Sequence, residues 1–516
     1  MRSFRTKLGV LIPLASGLTA LSAVAQEPTS PEAPADQPPP AIPSADPTAE
    51  DVRRLSRKLA ELEARLAARE RADAERENAE REKAARQPAI AKKEEPLPAA
   101  WSPFPGDYSW APGSYAAGEH PLTLGDGIFT GEFRIDVGYH HSFRDPIDNT
   151  ISGSSEVFRS GEVQVTQIGI GGDFNYKNVQ GRLMTQFGMY STGTPRNDAS
   201  PARGQWQLDN AYRYISEAYG GYHIDAGKAG HVNIQAGLFM SYVGLWSYYN
   251  FDNWTYQPSY VSSNTPWYFN GIRIQWFPTP NLKIEPWLVN GWQAYGKFNQ
   301  APGGGIQIRW NHDEWFSIAV NQYFGTDTLG IRGRKRLHSD DSVMARYYHH
   351  PGGALSKAAA SLTVDAGCEI GTEGDVTCGE QYFLGFMAYN RLWFAGDKIG
   401  LTLGGGAITN PGRYLVLMPP INGATGFSGT PYFSYNRGDT YQAWDMQATV
   451  DFMPSPFYTF RTEFNHRAAN IPYFTGHGGV TPPGGNQGSP GSAIDGWAPD
   501  LVNDENRITA AFLLKL

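Results

Sequence analysis

The stretch Phe133-Arg134-Ile135-Asp136-Val137-Gly138-Tyr139-His140 decides the fold class. Odd positions are apolar or aromatic, and even positions are polar or glycine. Successive side chains point to opposite faces of a strand, whereas a helix repeats every 3.6 residues. The run therefore predicts a β-strand with one dry face and one wet face. A second run behaves alike: Val179, Leu183, Phe187 and Met189 alternate with Gln180, Arg182, Gln186 and Tyr190. The final segment, Arg507 to Leu516, places Ile508, Ala510, Phe512, Leu514 and Leu516 on one face.

Working outward from these runs, the connections fall into two sizes. Short turns are read at Lys177-Asn178, Pro278 to Asn281, Asn311 to Glu314, Gly396-Asp397 and Met453 to Pro456. Long loops are read near 143–156, 194–205, 243–266, 292–303, 325–338, 367–380, 409–439 and 470–503. Alternating short and long connections mark a transmembrane antiparallel barrel with periplasmic turns and extracellular loops. Walking through them predicts an all-β barrel of about sixteen strands over 121–516.

Composition agrees. Only 41% of the 516 residues are hydrophobic, yet 13% are aromatic and 58 are glycine. A barrel wet on one side is polar on average and still lives in a membrane. No long continuous apolar run follows the N-terminus, so a spanning structure must be a closed barrel.

The N-terminus carries its own signals. Arg2, Arg5 and Lys7 precede an apolar run from Leu8 to about Ala23, and Ala23-Val24-Ala25 is a small-residue cleavage pattern. Residues 1–25 are therefore expected to be a secretory signal peptide. Residues 26–49 read as a Pro/Ala-rich linker. Residues 50–87 lack Gly and Pro, and Val52, Leu55, Leu59, Leu62 and Leu66 follow 3-4 spacing, which predicts a short periplasmic coiled coil. A lone solvated helix is the alternative reading. Residues 88–120 read as a second linker.

The formal net charge of −8 argues against a nucleic-acid partner. Residues 1–100 hold 16 basic and 16 acidic side chains, and the rest of the chain holds 27 and 35. The negative balance thus sits in the barrel and points toward cation preference, although the few charges at a constriction set selectivity. Cys368 and Cys378 bracket a loop that an oxidising periplasm would close as a disulfide; two free thiols are the alternative.

Strand parity nominates pore-lining charges: Arg134, Asp136, Arg182, Arg213, Glu217, Arg273, Lys283, Glu285, Arg309, Arg391, Arg461 and Glu463. Facing lipid at mid-bilayer would cost about 2–4 kcal/mol for each Arg or Lys, so inward placement is expected. Whether these charges steer solutes or only brace the wall stays open. The third long loop carries Trp246, Tyr248, Tyr249, Trp254 and Tyr256. Folded inward, it would be a constriction loop, with rings that either stack on solutes or pack against the wall. Arg332, Arg334, Lys335 and Arg336 form a basic cluster that could meet lipopolysaccharide phosphates. The pairs His140-His141 and His349-His350 sit on adjacent strand positions, hence on opposite faces, so no metal site is expected. Gly404-Gly405-Gly406 lacks a following helix and does not suggest phosphate binding. No cofactor and no catalytic constellation is indicated.

Between 216 and 271 the sequence is similar to a known family. Asn250-Phe251-Asp252-Asn253-Trp254-Thr255-Tyr256-Gln257-Pro258-Ser259-Tyr260 is followed by Asn264-Thr265-Pro266-Trp267-Tyr268-Phe269-Asn270-Gly271. With Ser216-Glu217-Ala218-Tyr219 and Gln235-Ala236-Gly237-Leu238-Phe239, this resembles the OmpL-like β-barrel porin family over about 120–516. The resemblance implies a porin fold and passive transport, and it brings no catalytic residues. The expected partners are outer-membrane lipid and lipopolysaccharide, small polar solutes and two further copies in a homotrimer. The rival reading is a structural protein tethered to peptidoglycan through 50–87. An outer-membrane lipase or protease is the least supported reading, for want of a nucleophile with partners.

Overall fold

Sixteen antiparallel strands follow one another around a closed ring in a computed structural model of the chain. They are β1 (Phe129–Ser142), β2 (Glu162–Tyr176), β3 (Val179–Thr185), β4 (Ile215–Asp225), β5 (His231–Met240), β6 (Tyr268–Thr279), β7 (Leu282–Val289) and β8 (Gly303–His312). The second half comprises β9 (Phe316–Gly325), β10 (Lys335–His349), β11 (Leu355–Ile370), β12 (Tyr382–Phe394), β13 (Ile399–Thr409), β14 (Gln442–Ser455), β15 (Tyr458–Ala469) and β16 (Asp504–Lys515). β16 pairs with β1, Arg507 opposite Ser142 through to Lys515 opposite Arg134, and closes the barrel without a free edge.

The structure describes residues 50, 53–54, 56–69, 71, 104, 106–113, 121–198, 200, 204–297, 300–327, 333–371, 376–411, 414, 419–429 and 440–516. The expected signal peptide and first linker lie outside these residues, as do Val52, Leu55 and 72–87 of the expected coiled coil. The chain divides into two units, 1–92 and 93–516. In the first, the described residues between 50 and 71 are helical, and Leu59, Leu62 and Leu66 are exposed.

Seven connections span two to five residues and share one end of the barrel; the other eight are loops. By the outer-membrane rule the short turns are periplasmic and the loops extracellular. The alternation that marks each strand is visible in burial. Outward residues such as Val163, Ile170, Leu183, Leu288, Leu403, Met446, Val450 and Phe460 are exposed and apolar. Their inward neighbours are buried and mostly polar: Gln447, Thr449, Asp451, Arg461, Glu463 and Asn465 are nearly inaccessible. Exposed apolar groups in a band around a closed barrel are the lipid-facing surface.

Gly237 and Gly271 sit opposite each other on β5 and β6. A Cβ at Gly237 would collide with the Ala218 carbonyl, and one at Gly271 with the Leu288 carbonyl. Glycine is therefore required where these backbones converge, beside the root of the third loop.

Three details depart from the sequence reading. β3 ends at Thr185, and Gly188 turns the chain at φ 87° into a helical turn, Tyr190–Gly193; Phe187 and Met189 are not part of the strand. Arg213 follows the helical turn Leu208–Tyr212 and precedes β4, so strand parity does not apply to it. Finally, residues 106–113, read as linker, are built into the barrel unit. Trp110 and Ala111 are each 1% exposed, and the Trp110 indole N–H donates to the Glu314 carbonyl at 2.7 Å.

Candidate functional site

The third loop, 241–267, leaves β5, crosses the lumen and returns to β6. It contains a 3-10 turn at Asn250–Asp252 and a helical turn at Tyr260–Ser263. Neither turn satisfies many of its own backbone groups, so the wall must do so. Arg461 of β15 donates to the carbonyls of Asn250 (3.0 Å), Thr255 (2.9 Å) and Asn253 (2.6 Å). Its guanidinium also grips both Asp451 oxygens, at 2.7 and 3.0 Å. Arg391 of β12 shares Asp451 at 2.8 Å and donates to the Trp254 carbonyl at 3.2 Å.

Carboxylates hold the loop's N–H groups in turn. Glu463 accepts from the Tyr256 and Gln257 amides at 2.6 and 2.9 Å. Asp445 of β14 accepts from the Tyr260 amide at 2.7 Å and the Ser259 hydroxyl at 3.1 Å. On β1, Asp136 accepts from the Tyr256 hydroxyl and the Asn250 amide, each at 2.9 Å. Arg134 pairs with Asp252 at 3.0 Å, and Arg507 of β16 donates to Gln257 at 2.7 Å. Buried charges like these hold their place only when paired and hydrogen-bonded. Glu156 of the first loop also joins, accepting from Gln257 at 2.9 Å; burial pushes its carboxyl above the usual range.

Trp246, Tyr248, Tyr249, Trp254 and Tyr256 of the loop are all buried, at most 6% exposed. Trp246 meets Tyr389 edge-on at 4.8 Å, and Trp254 meets Trp393 at 5.9 Å. Tyr248 packs on Tyr190 and donates to Gln186, while Tyr249 donates to Glu217 at 2.8 Å. These rings therefore pack against the wall. The Trp254 indole N–H also donates to the Trp110 carbonyl at 3.0 Å, joining the 106–113 segment to the loop.

The predicted lumen charges thus separate by role. Arg134, Asp136, Arg391, Arg461 and Glu463 fasten the loop. Arg182 and Glu217 join at 2.9 Å in a wall network with Glu132 and Asp173, and Glu217 also receives Tyr249. Arg273, Lys283, Glu285 and Arg309 instead line a cavity of about 230 Å³ between β6–β8 and the two ends of the third loop. A second cavity of about 440 Å³ opens at the periplasmic turns, bounded by Ser109, Trp254, Lys357, Arg391, Asp397 and Arg461.

Several anchors were missed in the sequence: Asp445, Asp451, Arg507 and Trp110. The first three obey the same parity that selects Arg461 and Glu463. Asp451 stands directly opposite Arg461 in the β14–β15 register, so extending the alternation would have found it. Trp110 carries no such signal, because its partners lie 144 and 204 residues away. Of the basic cluster, Arg334 and Arg336 turn to Glu369, at 3.8 and 3.3 Å, while Lys335 is exposed. Arg332 lies outside the described residues. Alternation along β10 separates Lys335 from Arg336, while Arg334 precedes the strand. Cys368 and Cys378 are joined in a disulfide.

A family model described as "Putative beta-barrel porin-2, OmpL-like" matches residues 132–489. Among solved structures, an anion-selective porin from Comamonas acidovorans is similar at 9% identity, covering 75% of this chain and 99% of its own, with a TM-score of 0.44. OprB of Pseudomonas putida is similar at 10% identity over 75% of this chain and 94% of its own, with a TM-score of 0.43. The outer membrane channel DcaP of Acinetobacter baumannii is similar at 10% identity over 75% and 96%, with a TM-score of 0.39. No curated protein matches the chain.

Proposed function

Because the chain belongs to the OmpL-like β-barrel porin family of outer-membrane channels, we propose that it passes small hydrophilic solutes across the outer membrane by diffusion, with the third loop as its constriction. The observation that carries this reading is the loop itself. Residues 241–267 lie across the lumen, fixed by Arg461, Glu463, Asp445 and Asp136 from strands remote from the loop's own roots. A loop serving only to cap the barrel would not need anchors on five strands of the facing wall. Solutes are sorted by the width the loop leaves and by the charges beside it.

The assembly in this reading is a homotrimer, exported by the signal peptide at 1–25 and carrying the 50–87 segment in the periplasm. The test is single-channel conductance in planar bilayers. Steady steps in groups of three support a trimeric pore. A correctly folded barrel that gives no steps would overturn it.

A second reading is a plugged structural barrel acting through the 50–87 segment. It is favoured by the Trp110, Trp254 and Trp393 packing inside the lumen. Under this reading, deleting 50–87 causes envelope blebbing with solute uptake unchanged; an intact envelope would exclude it.

A further inference from the structure

Charge is balanced along the wall that holds the third loop. Arg391 and Arg461 share Asp451, Arg507 pairs with Glu505 at 3.2 Å, and Arg134 has Glu132 and Asp252. The cavity against β6–β8 is different. Three of its lining side chains are cationic, Arg273, Lys283 and Arg309, and Glu285 is its one lining carboxylate. That carboxylate is already committed. It takes Lys283 at 2.8 Å, Gln275 at 2.7 Å and the Trp287 indole N–H at 2.8 Å.

The two arginines have neutral partners. Arg273 donates through Nε to Gln235 at 2.6 Å, and Arg309 through Nε to Asn311 at 3.2 Å. Rings of Phe239, Tyr219 and Trp287 lie 4.4, 4.9 and 5.4 Å from the Arg273 guanidinium carbon. Aromatic contacts of this kind fix a guanidinium without neutralising it. Arg273 also acts on Glu285 through space, but three cations against that one carboxylate leave the lining of the cavity with an excess of positive charge.

We propose that this cavity is an anion station in the permeation path, taking small carboxylates through Arg273 and Arg309, and that it makes the channel anion-preferring despite the chain's net charge of −8. The inference rests on the diffusion-pore reading for its transport consequence, but the binding site stands on its own geometry. The planar guanidinium fork matches a carboxylate in a way a point charge does not.

Two measurements test it. The first is the reversal potential of the full-length protein under a tenfold potassium chloride gradient, for the wild type and for Arg273→Gln/Arg309→Gln. The second is calorimetric titration of the detergent-folded barrel with malonate, which needs no conductance. The expected results are a chloride-preferring potential that moves toward potassium in the variant, and malonate binding weakened at least tenfold by the double substitution. Steps that prefer potassium in the wild type, without malonate binding, would overturn the anion station and leave the pore reading intact. Malonate binding by a barrel that never conducts would uphold the site and overturn the pore. If the double variant fails to fold, as judged by heat-modifiable mobility, the wild-type potential and titration alone decide the question.

Discussion

Replacing Arg461 by alanine should release the third loop from the wall. The guanidinium serves three loop carbonyls and both oxygens of Asp451. Truncation leaves those carbonyls without their charged donor, and Asp451 retains only Arg391 among its cations, at 2.8 Å. A hydrogen bond to a charged group contributes about 1.5–3 kcal/mol, but three made by one group do not add independently. Removing one partner of a buried ion pair costs roughly 3–5 kcal/mol, and that range is the better guide. At about 1.4 kcal/mol per tenfold, the undocked population of the loop should rise by roughly two to three and a half orders of magnitude.

Limited chymotrypsin digestion of the folded barrel reads this directly. Tyr248, Tyr249, Trp254 and Tyr256 are cleavage sites, and each is at most 5% exposed when the loop is docked. Where docking is fast relative to cleavage, the rate follows the open population. The variant should be cut within the loop about a hundredfold faster or more, with the barrel still heat-modifiable on gels. Arg461→Lys keeps the charge but not the fork, and should fall between wild type and alanine. Cleavage within twofold of wild type in a folded Arg461→Ala barrel would refute the claim that this residue clamps the loop.

Glu463→Gln presents one oxygen where two backbone amides now donate, so one N–H would face an amide donor; loop docking should weaken by about 1–3 kcal/mol, read by the same digestion. Asp148 of the first loop accepts from the Val480 amide and the Thr481 hydroxyl of the eighth, both at 2.8 Å. Burial pushes its carboxyl up, but these bonds and that of the Thr150 amide outweigh burial and hold it below the usual value. Its contribution is therefore present above the ordinary carboxylate pKa of about 4 and is lost as pH falls through the lowered value. Hydrogen-exchange protection at Val480 should drop in that acid range, and Asp148→Asn should show the drop already at neutral pH; unchanged protection in the variant would contradict this. Removing the Cys368–Cys378 disulfide, which spans ten residues, should cost the sixth loop about 2–3 kcal/mol by chain entropy, seen as faster exchange across 376–381.

The barrel was legible because its signal is local and repeated. Phe133 to His140 already contains the whole rule: lipid on one side, lumen on the other. Turn chemistry and loop length then set strand order without any long-range information. The third loop was legible as an aromatic, Asn-rich segment; whether it folds into the lumen was not. Which way its rings face was not legible. Tyr256 is polar at one end and apolar over the rest, so it suits a solute or Asp136 equally well until the partner strand is known. The same limit applied to Trp110, which sits in a Pro- and Gly-containing stretch that reads locally as linker and hydrogen-bonds to the distant Trp254 and Glu314. Arg213 shows the opposite error, a periodic rule carried past the end of a strand into a helical turn.

The central claim is that the docked third loop sets the conductance of this barrel. The most direct measurement compares single-channel steps of the wild type with those of a variant lacking residues 249–262, both folded and heat-modifiable. The account predicts small, steady wild-type steps and steps several-fold larger in the shortened variant. Equal step sizes, or a shortened barrel that conducts no better than a silent wild type, would contradict it.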